Sequence, residues 1–556
     1  MATFYIQQFG CRATQADGAA LERQLLDRGC IPASDPASAS IVVLNTCTVT
    51  AAADAQARDA IRKIHAANPR ARLIVTGCYA QRAPEELGAL PGVSHVVGNS
   101  HKPQIPDLVM QIAPAAFAAA REERSVIPSE AIEGPDAIGR NLLFPSASPD
   151  VPFHSFVGAP HAVPALGESP DLADASHRPA QILTGDIFAH PEFLSAPIQG
   201  GESHRTRPIL KIQDGCNNRC SFCIIPYVRG KSRSLPPDEV IREIQKLVAQ
   251  PILAVHPHSR QSSVAQALLP VPDCSFISSA SYNSSTLSVR EIVLSGINLG
   301  TYGRDLTPRV DFIDLIRRIL DETPLDRLRI SSIEPQDVTQ DLIDLFASSG
   351  RIAQHFHMPL QSASDRILAA MHRWYRSEHY ARRVELIHDR LPHAAIGADV
   401  IAGFPGETES DHAASLAFIE QRPFTYLHVF SYSPRPGTKA ASLPNQVPAQ
   451  IIKRRARELR SPSESKSSAF RRSQIGRTLR VLTLHRNEHS ISEHAGIEYT
   501  PALSSNYLRV QIPGIFPSNE WLDVVLSSEE GNYVVGEPSS IDSELSVPSA
   551  LSASSV

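Results

Sequence analysis

The stretch Asp214-Gly215-Cys216-Asn217-Asn218-Arg219-Cys220-Ser221-Phe222-Cys223-Ile224-Ile225-Pro226 decides how the rest of the chain is interpreted. Its three cysteines have a C-x3-C-x2-C spacing and directly follow the apolar run Pro208 to Ile212, which predicts a loop leaving a strand. Zinc normally takes four protein ligands built from C-x2-C pairs, whereas an iron-sulfur cluster held by three thiolates keeps one iron open for a substrate. The spacing therefore favours an iron-sulfur centre with chemistry at its open iron. The alternatives are a zinc site or a redox-inert cysteine cluster.

Length and composition limit the class of protein. The chain has 556 residues, 42% of them hydrophobic, which suffices for about three domains with real cores. Its apolar runs are shorter than the roughly 18 residues of a membrane span, and Met1 to Phe4 begins neither a signal nor a transit peptide. Eight cysteines are too few for a disulfide scaffold. We expect a soluble, cytoplasmic protein without membrane contact, and the net charge of −5 argues against a wholly basic nucleic-acid binder.

The first part of the chain carries a second group of three cysteines. Residues 1–112 alternate short apolar runs with helical stretches, which predicts an open parallel sheet with crossover helices. Cys11, Cys47 and Cys78 each follow a different predicted strand, at the edge of the sheet where ligands bind in such folds. These side chains should therefore converge on a second three-thiolate site. Buried, inert cysteines are the alternative, and Cys30, which follows no strand in this way, is expected to be a non-ligand.

These motifs resemble the radical S-adenosylmethionine (SAM) methylthiotransferases. The resemblance is carried by the first triplet with Ile225-Pro226-Tyr227-Val228-Arg229-Gly230 and by Gly10-Cys11-Arg12-Ala13-Thr14-Gln15, where Thr14 replaces a more usual Asn. It implies two 4Fe-4S clusters. One is held by Cys216, Cys220 and Cys223 and binds SAM, and an auxiliary one is held by Cys11, Cys47 and Cys78.

The resemblance also implies a reaction. A methylthio group replaces the C2 hydrogen of a modified adenosine beside a tRNA anticodon, with one SAM supplying the methyl group and a second supplying a radical. Ser331-Ser332-Ile333-Glu334-Pro335 and Phe430-Ser431-Tyr432-Ser433 look most like the branch acting on N6-threonylcarbamoyladenosine at position 37. The alternatives are N6-isopentenyladenosine in tRNA, a ribosomal-protein aspartate, or a non-catalytic iron-sulfur or zinc protein that binds RNA. The implied partners are tRNA, a small-protein electron donor and a sulfur donor.

The middle of the chain, 205–460, predicts a central partial (βα)6 barrel of the radical-SAM type, interrupted by an insertion at about 251–288. Loops that follow its predicted strands match the family. The resemblance implies that they contact SAM through Gly296, Asn298, Gly300, Glu334, Gln361 and Asp399. Glu334, Gln361 and Asp399 could instead cap helices or satisfy loop amides.

The remaining segments have weaker signals. Residues 113–204 are rich in proline and predict a low-complexity linker, and 541–556 predict a disordered tail. Residues 461–540 predict a basic linker followed by a small β-barrel that resembles the RNA-binding TRAM domain. A positively charged run begins at Lys453 and could follow an RNA backbone through Arg454, Arg455 and Arg457, although a solvated helix face would look the same.

Overall fold

The structure is a computed structural model, and it describes residues 2–112, 179–189, 194, 206–249, 289–485, 493–494 and 497–539. Most of the predicted linker, the insertion at 251–288 and the tail at 541–556 therefore lie outside the described residues. No helix within the described ranges is both long enough and apolar enough to cross a bilayer.

The amino-terminal part is a six-stranded sheet in the order β2-β1-β3-β4-β5-β6, and every pair in it is parallel. The predicted parallel α/β sheet is confirmed. Its last strand, β6, lies within the stretch predicted as a linker, so part of that stretch completes the sheet. The strands are β1 (Thr3–Gln8), β2 (Ile31–Pro32), β3 (Ile41–Thr46), β4 (Arg72–Gly77), β5 (Val93–Gly98) and β6 (Gln181–Leu183). The helices are α1 (Arg12–Asp27), α2 (Ala51–Ala67), α3 (Cys78–Arg82), α4 (Pro84–Gly88) and α5 (105–112).

The middle strand of this sheet, β3, is buried along its whole length because helices cover both of its faces. Ile61 of α2 packs on one face, and Leu21 of α1 packs on the other. Thr50 caps α2 by accepting a hydrogen bond from the backbone N–H of Ala53 at 3.2 Å. The apolar faces of these helices thus fix the sheet, and they leave its carboxyl edge facing the central part of the chain.

The central part consists of two three-stranded parallel sheets, β7-β10-β11 and β12-β13-β14. Bridges between Leu328 and Ile352 and between Ser332 and His357 connect them, so six strands follow one another in chain order as in a partial barrel. The strands are β7 (Ile209–Lys211), β10 (Glu291–Ser295), β11 (Arg327–Ile330), β12 (His355–His357), β13 (Ala395–Ala402) and β14 (Tyr426–Ser431), with the short pair β8 (Gln213–Asp214) and β9 (Arg233–Ser234) beside the cysteine loop. The helices are α6 (Ile225–Arg229), α7 (Pro237–Ala249), α8 (Phe312–Glu322), α9 (Gln340–Ser348), α10 (Asp365–Ala370), α11 (Ser377–Arg390) and α12 (Glu409–Gln421).

Successive residues of these strands belong to different environments, as the pleat requires. Ile292 and Leu294 of β10 pack into the apolar core formed with the helices. The neighbouring position, Glu291, is fully buried among charges and accepts a hydrogen bond from Nε of Arg329 at 2.7 Å and another from Arg327. Burial raises the pKa of Glu291, but the two guanidinium groups outweigh burial and hold it well below its usual range.

The carboxy-terminal part is a second six-stranded sheet in the order β15-β19-β20-β18-β17-β16, and a further pairing of β15 with β17 closes five of its strands into a ring. The helix α13 (Ala449–Arg472) leads into it. The strands are β15 (Thr478–Thr483), β16 (Glu493–His494), β17 (Ile497–Ser504), β18 (Arg509–Pro513), β19 (Trp521–Glu530) and β20 (Tyr533–Pro538).

The turn between β17 and β18 enters the central part of the molecule. The Leu503 carbonyl accepts a hydrogen bond from Arg327 at 3.0 Å, and the Ser504 carbonyl accepts one from Arg329 at 2.9 Å. The ring of Tyr507 stacks on the ring of His355 with 4.3 Å between centroids. Backbone carbonyls of the carboxy-terminal ring thereby satisfy two buried arginines of the central strands.

Candidate active site

The three amino-terminal cysteines meet at the carboxyl edge of their sheet. Cys11 is the N-cap of α1 just after β1, Cys47 follows β3, and Cys78 begins α3 directly after β4. Cys47 and Cys78 are each 1% exposed, whereas Cys11 is exposed. Gly10 has φ of 94°, and a Cβ atom there would lie 2.7 Å from Sγ of Cys47, so only glycine allows the first turn to approach the second thiol this closely.

The second triplet lies on a loop whose backbone is fixed at several points. The N–H of Cys216 donates to the carbonyl of Gly230 at 3.1 Å, and the N–H of Ser221 donates to the carbonyl of Met371 at 3.0 Å. Arg373 donates from Nη1 to Sγ of Cys220 at 3.3 Å. This hydrogen bond fixes the Cys220 side chain against the cavity wall.

A cavity of about 630 Å³ is lined by one cysteine of the first triplet and by all three cysteines of the second. Cys11 lines it together with the second triplet, whereas Cys47 and Cys78 lie behind its wall. Cys78 packs against Ile224 and Val228 of the segment that follows the second triplet. Cys11 and the second triplet, which are about 200 residues apart in sequence, therefore face the same space, and Cys47 and Cys78 are buried beside Cys11.

The donor sets fit iron-sulfur clusters better than zinc. Burial, followed by the charges of the neighbouring thiols, raises the pKa of Cys47 and of Cys223 to about 12 in each case, so only a bound cation would make these groups thiolates. The sulfurs around a zinc ion lie roughly 4 Å apart. Within the described part of the chain, the one set of three possible ligands with all atoms within 4.8 Å of one another is His357, Asp399 and His428. Neither cysteine triplet has the compact spacing of a zinc site.

Five of the six residues predicted to contact SAM line the cavity, namely Gly296, Asn298, Glu334, Gln361 and Asp399. The sixth, Gly300, lies outside that lining, and its contact with SAM stays a prediction. A Cβ atom at Gly300 would lie 2.1 Å from Oδ2 of Asp337, so the glycine is required for close packing of its loop. In contrast, Oδ1 of Asn298 is buried with no hydrogen-bond partner among the described residues, which suits the amino group of a ligand.

Glu334 and Arg373 form an ion pair in the cavity wall. Burial raises the pKa of Glu334, and Arg373 opposes this effect. We take the pair as ionised because the guanidinium remains charged in proteins. Glu334 is the N-cap of a short 3-10 helix, but its side chain makes no capping hydrogen bond, so the capping alternative does not account for it.

Asp399 lies within β13, where it cannot cap a helix, and two histidines flank it. Its Oδ1 atom is 3.2 Å from Nε2 of His357 and 3.3 Å from Nδ1 of His428. Burial raises the pKa of Asp399, but hydrogen bonds from both imidazoles lower it well below its usual range. The hydroxyl of Ser332, 2.7 Å from Nδ1 of His357, fixes the orientation of that ring. These groups form a charged wall opposite the cysteines.

Several lining residues were missed by the sequence analysis, including His355, Tyr426, Tyr507 and Arg12. Nε2 of His355 lies 2.7 Å from the hydroxyl of Tyr426. Burial, followed by the charges of Arg329, His357 and Arg12, lowers the pKa of His355 well below its usual range, so this imidazole is neutral. The alternation His355, His357 on β12 and Tyr426, His428 on β14 was a detectable signal of inward-facing residues.

The predicted RNA contacts on α13 divide into two kinds. Arg455 is only 3% exposed and its Nη1 atom donates to Glu407 at 2.7 Å. A guanidinium paired and buried in this way is not free to contact phosphate, so the RNA-binding prediction for Arg455 is corrected to a structural role. Arg454 is exposed and pairs with Glu409 at 2.6 Å, and Arg457 is exposed. For Arg454 and Arg457, RNA binding stays a prediction.

A buried ion network holds the two cysteine-bearing parts together. Asp17 of α1 contacts Lys102 at 2.8 Å, Arg229 at 3.0 Å, and Lys211 of β7. Arg229 also bonds Asp214 at 2.9 Å, two residues before Cys216. The side chains of Asp17, Lys102, Lys211 and Arg229 are all at most 4% exposed. This network fixes the position of α1, and hence of Cys11, relative to the second triplet.

Comparison with known proteins agrees with this geometry. Residues 3–98 match the model of the uncharacterized protein family UPF0004, and residues 210–256 and 288–419 match the radical SAM superfamily. Threonylcarbamoyladenosine tRNA methylthiotransferase MtaB of Aquifex aeolicus is 30% identical over 481 residues, covering 86% of this chain and 92% of the relative. MtaB of Bacillus subtilis is 30% identical over 517 residues, covering 92% and 91%. The tRNA-2-methylthio-N(6)-dimethylallyladenosine synthase of Syntrophobacter fumaroxidans is 30% identical over 465 residues, covering 82% and 79%.

Members of this family bind SAM and 4Fe-4S clusters, and the predicted family is confirmed. The two matched models cover the two parts of the chain that carry the cysteine triplets. With this identity sustained over most of both proteins, the chain belongs to the family of radical SAM tRNA methylthiotransferases.

Proposed function

We propose that this enzyme converts N6-threonylcarbamoyladenosine at position 37 of tRNA to its 2-methylthio derivative. The observation that supports it most is the cavity of about 630 Å³ that is lined by Cys11 of the first triplet and by all three cysteines of the second, because one adenine can then reach both centres. In this proposal the SAM-binding cluster is held by Cys216, Cys220 and Cys223, and the auxiliary cluster by Cys11, Cys47 and Cys78.

The bound cofactors supply the radical and the transferred sulfur and methyl group, and the protein supplies position and a water-poor space. Asn298 offers its unpartnered Oδ1 atom to the SAM amino group. Glu334, fixed by Arg373, borders the same region, and Gly296 allows close approach of backbone. Gln361, with φ of 63°, and Asp399 complete the proposed SAM contacts.

The choice of the threonylcarbamoyl substrate rests on the polarity of the cavity wall. A threonylcarbamoyl group carries a carboxylate and a hydroxyl, whereas a dimethylallyl group is wholly apolar. Arg12, half-buried at the start of α1, lines the cavity, and no carboxylate among the described residues is paired with it. We propose that Arg12 binds the threonyl carboxylate, and that Tyr426 and His428 provide polar neighbours. The names of the Aquifex and Bacillus relatives support the same substrate.

The domain layout is part of the proposal. It places an amino-terminal α/β domain at 1–112, a linker at 113–204 from which β6 returns to the sheet, and the radical-SAM core at 205–460. The segment 461–540 would include a TRAM-like RNA-binding barrel, supported by the closed ring of β15, β19, β20, β18 and β17, and 541–556 would be a tail. A small-protein electron donor and a sulfur donor would act with the enzyme.

The test is nucleoside analysis by mass spectrometry after reaction of cluster-loaded enzyme with tRNA carrying either threonylcarbamoyladenosine or dimethylallyladenosine. We expect methylthiolation of the first only. In Arg12→Gln the KM for the first tRNA should rise about ten- to hundredfold, the range for losing a hydrogen bond to a charged group. The iron content of the variant is the control, because Arg12 is next to Cys11 and the change must not remove the auxiliary cluster. Modification of the dimethylallyl tRNA alone would overturn the substrate assignment, and no methylthiolation of either tRNA by iron-loaded enzyme would overturn the tRNA reaction itself.

A further inference from the structure

We propose that an exposed basic and aromatic surface beside the Cys216–Cys223 loop receives the single-stranded anticodon loop of tRNA. This surface, called here the mouth surface, consists of Arg219, Tyr227, His372, Trp374 and Lys439. The inference rests on the proposed tRNA function and goes beyond it, because it says where the nucleotides next to the reacting adenosine bind.

Trp374 is 77% exposed, more than any other large hydrophobic side chain that the structure describes. Its two neighbours in sequence are buried and fixed. Arg373 bonds Sγ of Cys220 at 3.3 Å, and the hydroxyl of Tyr375 donates to the carbonyl of Pro359 at 2.6 Å. The backbone that presents the indole is therefore anchored directly to the cavity wall. An exposed indole on such an anchored segment offers a flat aromatic face on which a base can stack.

The other members of the mouth surface are connected through the cysteine loop. The Arg219 guanidinium lies 6.0 Å from the ring centroid of Tyr227, which is 47% exposed. The Arg219 carbonyl is 3.2 Å from Nδ1 of His372, and Nε2 of the same ring is 3.4 Å from Nζ of Lys439. Tyr227, Arg219, His372 and Lys439 thus form a connected surface on the loop of the proposed SAM-binding cluster, and Trp374 lies two residues after His372 in the chain.

This combination fits single-stranded RNA. Bases stack on aromatic side chains regardless of sequence, and arginine and lysine neutralise the phosphates between them. An adenosine can enter the cavity only after it leaves the stack of its loop, which exposes the faces of adjacent bases. Trp374 can cover one such face while Arg219 and Lys439 contact the backbone. α13, by contrast, has Arg455 buried against Glu407, which leaves the mouth surface the better site for the anticodon loop.

The test is the affinity of cluster-loaded enzyme for an anticodon stem-loop, measured at several salt concentrations. Trp374→Ala should weaken binding between about fivefold and a hundredfold, the range for losing one base–aromatic stack, and Trp374→Phe should retain most of the affinity. Arg219→Ala and Lys439→Ala should each reduce the salt slope by about one. Arg242→Ala, an equally exposed arginine on the outer helix α7, should leave affinity and slope unchanged. In turnover, Trp374→Ala should raise the KM for tRNA far more than it lowers kcat.

Unchanged affinity in Trp374→Ala, with unchanged salt slopes in Arg219→Ala and Lys439→Ala, would overturn the proposal. The proposal also fails if these variants slow turnover with a protein reductant but not with dithionite, because the surface would then dock the electron donor. Iron content and circular dichroism show whether each variant folds, and Trp374→Phe is a mild change if alanine is not tolerated. All comparisons use whichever tRNA the wild-type enzyme modifies, so a wrong substrate assignment and a wrong surface give different results.

Discussion

Changing Asp17 to Asn should destabilise the molecule by an amount that the ion network allows us to work out. Asparagine keeps the volume of the side chain but removes the charge that Lys102, Lys211 and Arg229 share. Lys211 and Arg229 retain Asp214, whereas Lys102 retains only the amide oxygen of Asn45 at 3.3 Å. Removing one partner of a buried pair costs about 3–5 kcal/mol. We expect a loss near the upper end of that range, because Lys211 and Arg229 would share Asp214 and Lys102 would have no carboxylate partner.

The assay is urea unfolding under anaerobic conditions, with Asp107→Asn as the matched control. Asp107 also pairs with an arginine, at 2.8 Å, but its side chain is 67% exposed, so its loss should change the free energy of unfolding by less than about 1 kcal/mol. Burial lowers the pKa of Lys102, so the folded state binds fewer protons at this lysine than the unfolded state. The Asp17→Asn variant should therefore regain stability as pH rises towards the ordinary pKa of lysine.

If Asp17→Asn and Asp107→Asn lose the same small amount of stability, the buried network does not hold the two parts together. A loss in Asp17→Asn that stays constant as pH rises would show that Lys102 remains charged and has found another partner. In the wild type the pKa of Asp17 is also below its usual range, because Arg229, Lys102 and Lys211 outweigh the effect of burial, so stability rises with pH here as well. Its contribution is present above the ordinary carboxyl pKa and is lost as pH falls below it.

Three further predictions concern the cysteines, α13 and the insertion. Cys223→Ala should abolish both SAM cleavage and the formation of methylthiolated tRNA. Replacing the amino-terminal triplet with alanine should leave 5'-deoxyadenosine formation but give no methylthiolated tRNA. Methylthiolated tRNA from a well-folded triple variant would contradict the role assigned to the auxiliary cluster. Arg455→Ala should cost about 3–5 kcal/mol of stability, measured by thermal unfolding, because it leaves Glu407 buried without its partner. Arg457→Ala should leave stability unchanged but weaken tRNA binding, measured by titration at several salt concentrations. Deleting 252–287 should leave iron content and circular dichroism unchanged, because an ordinary connection from α7 to β10 needs only a few residues; loss of folding would show a structural role.

The sequence could predict the features that depend on local patterns of apolar and polar residues. Cys11, Cys47 and Cys78 follow apolar runs, and the structure has strands there, so their convergence follows from the topology of a parallel sheet alone. The burial of Arg455 was not predictable in this way. Its partner Glu407 is 48 residues away, and a charged run on a helix looks the same whether its members face water or a carboxylate.

The cavity wall shows the same limit. Arg12 borders the cavity because α1 packs against β7, and Tyr507 does so because a turn of the carboxy-terminal ring reaches His355. Both contacts depend on how separate parts of the chain pack against each other. The periodicity of residues within one helix or strand does not predict such packing. The period-two placements of His355 and His357 on β12 and of Tyr426 and His428 on β14 were the local clues to the histidine-rich wall.

The docking of the β17–β18 turn also has a meaning for the ancestry of such proteins. Its carbonyls satisfy Arg327 and Arg329 inside the central strands, and its Tyr507 forms part of the chamber in which the reaction would occur. A recombination event that exchanged the carboxy-terminal ring for that of a distant homologue would leave two buried guanidinium groups with Glu291 but without these carbonyl acceptors, unless the new ring had the same backbone path. Selection therefore acts on the ring and the strands as one heritable unit, although they resemble separable modules.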